Sequence, residues 1–269
     1  MDLAEFKETQ RRIWGEGDYR PLGRLIEPAA QVLVAAAGVG TGHRVLDVGT
    51  GSGSVAVAAA LAGAEVVGVD ITDAWFDEAR RRADAAGVGF DLRLGDAESL
   101  PVDDGSFDVV LSSFAAIFAP RHNLVASEFV RVCRGGGTFG ITAWTPDGAN
   151  NAVFSALEKR LPSPPEFVTP STLWGDEDHV RGLFAAHDVT LRFERPTFPV
   201  AFESVEAFES FAFENSGGLI TARRALKELG RWDEAHEAMR DALDETNEAD
   251  DASYRVTWDF LLIVGTKAT

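Results

Sequence analysis

The 269-residue chain is poor in cysteine, tyrosine and methionine, with one Cys, two Tyr and two Met. The lone thiol, Cys133, closes no disulfide within the chain and builds no Cys-rich zinc site, so a reducing, cytoplasmic setting and no metal are expected. No apolar run approaches the roughly 20 residues that cross a bilayer. The charged start MDLAEFKETQ lacks the basic and apolar stretches of a signal peptide. Positive charge is also scarce: 25 Lys and Arg face 43 Asp and Glu, a formal charge of −18. That sign repels a phosphate backbone, so nucleic acid is not an expected partner. The one basic cluster, Arg80, Arg81 and Arg82, reads as the solvated face of a helix.

With 45% hydrophobic and 25% charged residues, the composition is that of a globular α/β protein. Short apolar runs alternate with helix-period segments from Val45 onward, the pattern of βα units that build a doubly wound, mainly parallel sheet. Strands are expected at Arg44–Val48, Glu65–Val69, Gly89–Arg93, Phe107–Ser112 and Thr138–Ala143. Helices are expected at about 73–86, capped by Thr72, and at about Asn123 to Arg134, ended by Gly135, Gly136 and Gly137. Beyond Trp144 the alternation fades, and the proline-rich stretch from Pro162 to Pro170 reads as a loop. Two longer strands, Val189–Val200 and Tyr254–Thr266, flank a helical insertion that carries Phe208, Phe211 and Phe213. The insertion is either extra packing or a cap over a substrate.

The segment VLDVGTGSGSVAVAAA, Val45–Ala60, runs an apolar strand into Gly49, Gly51 and Gly53 and then into an alanine-rich helix. In a doubly wound sheet this turn lies at the carboxyl edge, where backbone approaches a nucleotide-containing cofactor. Gly51-x-Gly53-x-x-Ala56 also satisfies the dinucleotide pattern, so a nicotinamide cofactor stays open on this segment alone. Asp70, ending the second strand, suits the two hydroxyls of a ribose in either case. Asp47, ionisable inside an apolar strand, favours a cofactor bearing an ammonium and a sulfonium and disfavours a pyrophosphate. In GDAESLP, Gly95–Pro101, Asp96 offers a side-chain acceptor for an adenine amino group.

Taken with VVGVDIT, FDVVLSSFAAIFAP and RVCRGGGTFGITAW, in that order and spacing, these segments resemble the class I S-adenosylmethionine-dependent methyltransferases, of the type related to the ubiquinone/menaquinone C-methyltransferases. The resemblance covers about Trp14–Trp144, and the Pro-Gly-Gly usual before the fifth strand is here Gly135-Gly136-Gly137. It implies a seven-stranded Rossmann-like sheet with an antiparallel last strand. S-adenosylmethionine would be the methyl donor and S-adenosylhomocysteine the product. It further implies that Gly49, Thr50, Gly51, Ser52 and Gly53 wrap the methionine portion, that Asp70 takes the ribose, and that Ile71 packs on adenine. Asp96 and Ala97 would hold the adenine edge, Ser113 would contact the amino-acid end, and Trp14 and Tyr19 of WGEGDY would close over the site.

Direct displacement from a sulfonium needs no nucleophilic residue and no metal, because the cofactor carries the activated leaving group. If a base takes part, His122, in APRHN just beyond the fourth strand, is the candidate. The expected division is one domain over 1–269, with a cofactor-binding core at about 40–148, last strands at about 189–200 and 254–266, and helical cap elements at about 1–36, 150–187 and 203–249. The phenylalanine-rich insertion and the scarcity of basic residues point to a small apolar or aromatic acceptor. Two alternatives stand beside this expectation, a catalytically silent cofactor-binding subunit and an NAD(P)-dependent oxidoreductase. A homodimer is compatible with the sequence, which does not reveal a subunit face.

Overall fold

A computed structural model describes residues 1–269. Three helices lead the chain: α1 (Leu3–Gly15), α2 (Tyr19–Leu25) and α3 (Glu27–Ala36). The alternating core follows as β1 (Arg44–Val48), α4 (Ser54–Leu61), β2 (Glu65–Asp70), α5 (Phe76–Ala86), β3 (Asp91–Leu94), β4 (Phe107–Ser113), α6 (His122–Val132) and β5 (Cys133–Trp144). The remainder is α7 (Ala149–Glu158), α8 (Glu177–Phe184), β6 (Val189–Glu194), β7 (Thr197–Phe202), α9 (Val205–Asn215), α10 (Gly217–Glu228), α11 (Trp232–Thr246) and β8 (Tyr254–Lys267).

The sheet order is β3-β2-β1-β4-β5-β8-β6, parallel from β3 to β5 and antiparallel around β8. β7 pairs with the first half of β8 and β6 with its second half. The expected strand Val189–Val200 is thus two strands sharing one edge position, broken at Arg195–Pro196, where proline supplies no ladder donor. The direction of winding reverses between β1 and β4, which opens a crevice at their carboxyl ends.

Side chains alternate across the sheet with the two-residue period of a strand. Val45 and Val109 enter a core shared with α3, α4, α7 and the helices of the insertion, and Leu46 and Val110 enter the opposite core with α6 and α8. α4 is apolar all round, with Val55, Ala56, Val57 and Ala59 buried. That composition suits a helix enclosed between the sheet and its neighbours.

Several boundaries differ from the sequence expectation. The third strand starts at Asp91 instead of Gly89. α5 is preceded by Trp75 rather than capped by Thr72, whose hydroxyl accepts from Ala74 N at 3.3 Å in a local turn. α6 ends at Val132, and the glycines that were expected to stop it lie within β5, where the register with β4 jumps between Phe107 and Val109. Gly136, at φ +72°, lets the chain take that bulge.

Candidate active site

The crevice leads into a cavity of about 510 Å³, within the range of small-molecule sites. One end is built by the β1–α4 turn. Gly49 and Gly51 have φ of +74° and +49°, and a Cβ on Gly49 would overlap the Ala115 Cβ. A Cβ on Gly51 would meet nothing within 4 Å, so its backbone faces open space. Gly53, at φ +84°, departs from its expected role. It does not line the cavity but starts α4, packed closely on Ala79 and Phe90.

Asp47 is buried beneath this turn, where its Oδ2 accepts from Thr50 Oγ1 at 2.7 Å and from Ala56 N at 3.1 Å. Ala56 N belongs to the first turn of α4, whose N-cap residue supplies no side-chain acceptor. Asp47 therefore occupies the helix end that would otherwise receive a phosphate. Burial, then the nearby Asp70, pushes its carboxyl up to about 7, while the two hydrogen bonds oppose the rise. Asp70, at the end of β2, accepts from Gly51 N at 2.9 Å and from Thr72 N at 3.1 Å, and burial raises its pKa as well.

The residues expected at the adenine side lie together. Ile71, Asp96 and Ala97 line the cavity together with Thr50, Ser52 and Ser113. Asp96 Oδ1 accepts from Glu98 N at 2.9 Å, and its other oxygen is ion-paired to Lys7 of α1. Lys7 also reaches Glu98 at 2.6 Å, and Glu98 in turn holds Arg121 at 2.6 Å. α1 buries none of its own residues, so these polar ties fasten it across the mouth, helped by Gln10 Nε2 donating to Phe118 O at 2.7 Å. Trp14 and Tyr19 close the same side. Trp14 lies 4.7 Å from Phe118 between ring centroids, and its carbonyl accepts from Trp75 Nε1 at 2.8 Å. Tyr19 accepts from Gly217 N at 3.0 Å, and burial pushes its phenol up to about 12.

Beyond Ser113, whose hydroxyl lies 3.1 Å from Thr142 Oγ1, the walls turn apolar. Phe114 follows at φ +50°, the one non-glycine residue in the left-handed region, and stacks on Trp144 at 3.8 Å. Strain of that kind is held in place by its surroundings and concentrates at functional sites. Phe154, Leu157, Phe208, Phe211, Leu219 and Trp258 complete the chamber. The insertion packs and also walls the cavity: Phe208 and Phe211 line it, whereas Phe213 packs on Trp232 at 5.4 Å. The α7 residues Asn150 and Glu158 also line it, and no local pattern in the sequence singles them out.

His122 is a correction. It is buried away from the cavity, against Trp174 at 5.3 Å between rings, with Nδ1 3.1 Å from His179 Nε2. Burial and the neighbouring His179 hold it down to about 4. As the first residue of α6 it turns toward the α8 side of the sheet, so closeness in sequence to β4 does not bring it to the crevice. The arginine cluster is neutralised within the fold, with Arg80 on Asp77, Arg81 on Glu78 and Arg82 on Glu27 at 3.1 Å or less.

The donor set fits a cationic, hydroxyl-bearing cofactor. The carboxyl groups of Asp47, Asp70 and Asp96 gather at one end of the cavity beside the apolar Ile71 and Ala97, and no lysine or arginine lines it to meet a pyrophosphate. Comparison with known proteins agrees. Residues 46–141 match the methyltransferase domain family. An uncharacterized protein of Mycobacterium tuberculosis (strain ATCC 25618 / H37Rv) is 40% identical over 193 residues, 71% of this chain and 70% of its own. A sterol 24-C-methyltransferase of Gibberella zeae is 36% identical over 151 residues, 53% of this chain and 39% of its own. The crystal structure of a putative methyltransferase from Bacillus halodurans superposes with a TM-score of 0.62 at 22% identity, covering 90% of this chain and all (100%) of that one. The chain belongs to the class I S-adenosylmethionine-dependent methyltransferases, whose methyl donor is S-adenosylmethionine.

Proposed function

We propose that this protein transfers the methyl group of S-adenosylmethionine to a small, apolar or aromatic acceptor at O, C or N, by direct in-line displacement. The observation that carries the reading is the continuity of the cavity, which runs from the acidic glycine turn past Ser113 into a chamber walled by Phe114, Trp144, Phe154, Phe208 and Phe211. The sterol-directed relative, which shares part of its length with this chain, is a methyltransferase for an apolar acceptor and supports the same view.

The cofactor, when bound, supplies an activated methyl group and its leaving group. The chain's own part is binding and orientation. Asp70 and the Gly49–Ser52 backbone would hold the ribose and methionine portions, Asp96, Ile71 and Ala97 would take the adenine, and Asp47 would set a negative potential beneath the glycine turn. The aromatic walls would exclude water and orient the acceptor toward the methyl donor, and positioning of that kind is worth several kcal/mol of a barrier. Trp14, Tyr19 and the Lys7 ties would close the mouth over the bound cofactor.

The test is release of S-adenosylhomocysteine with a panel of phenolic, quinone-type and polyketide acceptors. Turnover on apolar members supports the reading, whereas turnover confined to large hydrophilic acceptors contradicts it. Tight cofactor binding with no turnover on any member would favour the silent-subunit alternative.

A further inference from the structure

We propose that Glu158 selects the acceptor, by taking a hydrogen-bond donor or cationic group carried at the far end of an otherwise apolar molecule. This rests on the methyltransferase reading of the cavity and names a feature of its substrate.

α7 presents Asn150, Phe154 and Glu158 to the cavity at four-residue spacing, one stripe of a helix. Asn150 is buried at the end nearer β5, and eight residues on, about 12 Å along the axis, the stripe closes on a carboxylate at the cavity rim, where Glu158 is exposed. Between them Phe154 and Leu157 keep the wall apolar.

The other cavity carboxylates are already engaged: Asp47 by Thr50 and Ala56, Asp70 by Gly51 and Thr72, and Asp96 by Lys7. Glu158 has no such partner. Although the residue reaches solvent, the protein packed around its carboxyl desolvates it and raises its pKa, with no cation or donor to oppose the rise. The nearby Arg160 is turned away, with Nε on Glu234 and Nη1 on Ala156 O, both at 3.0 Å. Arg231 donates to the Arg160 carbonyl.

A carboxyl at the rim of an apolar chamber, partly desolvated and without a partner, gains from a ligand ammonium or hydroxyl brought to it. The same group repels an acceptor that is anionic at this end. The acceptor class is therefore an aromatic or aliphatic body bearing an amine, or failing that a hydroxyl, remote from the methylated atom.

The experiment measures binding of 4-phenylbutylamine, 4-phenylbutan-1-ol and 4-phenylbutanoate by calorimetry to the wild type, Glu158→Gln and Glu158→Leu, with and without S-adenosylhomocysteine. The wild type is expected to prefer the amine to the butanoate by about fivefold or more, as for a charge-assisted contact partly screened by solvent. Both variants are expected to fall within about twofold while binding S-adenosylhomocysteine as the wild type does. Absence of amine preference in the wild type, with failure of both probes to bind included, or the same preference in Glu158→Gln, overturns the assignment. Failure of the wild type to bind S-adenosylhomocysteine overturns the methyltransferase reading instead, and the cofactor-free series then still reports on Glu158.

Discussion

Replacing Asp47 by asparagine isolates the electrostatic design of the site. Burial holds this carboxyl at about 7 where its ordinary value is 3.8. The folded chain thus binds the proton more tightly than the unfolded chain, and ionisation works against folding. The penalty is absent well below pH 4, grows as pH rises through the unfolded value, and levels off above the folded one. At about 1.4 kcal/mol per pH unit it amounts to roughly 4 kcal/mol in full, of which about 2–3 kcal/mol falls between pH 5 and pH 8. The asparagine side chain would keep an oxygen able to accept from Thr50 Oγ1 and Ala56 N, the two bonds Asp47 makes at 2.7 and 3.1 Å, without the charge. Urea unfolding of both proteins without cofactor, at the two pH values, cancels the titrations they share. The Asp47→Asn variant should gain about 2–3 kcal/mol on the wild type between pH 5 and pH 8, or about 4–5 °C in Tm for a chain of this length. A gap that does not change with pH would refute the reasoning. Saturating S-adenosylmethionine should flatten the slope of the wild type, because its ammonium favours the ionised carboxylate.

The geometry sets four further outcomes. Asp70→Asn should abolish most of the stabilisation given by S-adenosylmethionine, about 2.7 kcal/mol at 100-fold its Kd, as read by thermal unfolding with and without ligand. Gly49→Ala should lower both Tm and cofactor affinity, since its Cβ would overlap the Ala115 Cβ. Adding Ala115→Gly should recover part of the loss, the rest being the cost of φ +74° for a residue with a side chain. Phe211→Ala should raise the KM for the acceptor and leave the Kd of S-adenosylhomocysteine unchanged, because Phe211 lines the chamber on the insertion side. Lys7→Met should speed amide exchange in α1, which loses its ties to Asp96 and Glu98 and has no buried residue of its own to hold it down.

The parts of the fold written in local pattern were legible in the sequence. β1, β2 and β4 fall within a residue of their expected limits, because each is a short apolar run closed by Asp, Gly or Ser. The placement of the glycine turn, Asp47, Asp70 and Asp96 around one cavity was legible for the same reason, since strand, turn and helix follow within one stretch of chain. Gly53 shows the limit of such pattern matching, because a glycine in the motif can serve helix packing instead of a ligand. His122 shows another limit: two residues after Pro120, the start of α6 directs the imidazole to Trp174 and His179, which are remote in sequence. Asn150, Glu158 and Lys7 were illegible because their roles depend on how α1 and α7 dock over the sheet, and no local spacing encodes that contact. The breaks at Pro196 and in the Gly135–Gly137 bulge were written as residues but not as consequences, since both depend on which partner strand lies alongside.

That the acidic glycine turn holds S-adenosylmethionine and not a dinucleotide is tested most directly by isothermal titration of the wild type and Asp70→Asn with S-adenosylmethionine and with NADH. Saturable binding of S-adenosylmethionine, weakened at least about tenfold in the variant, with no heat from NADH, is the predicted result. Asp70-dependent binding of NADH with none of S-adenosylmethionine would contradict it.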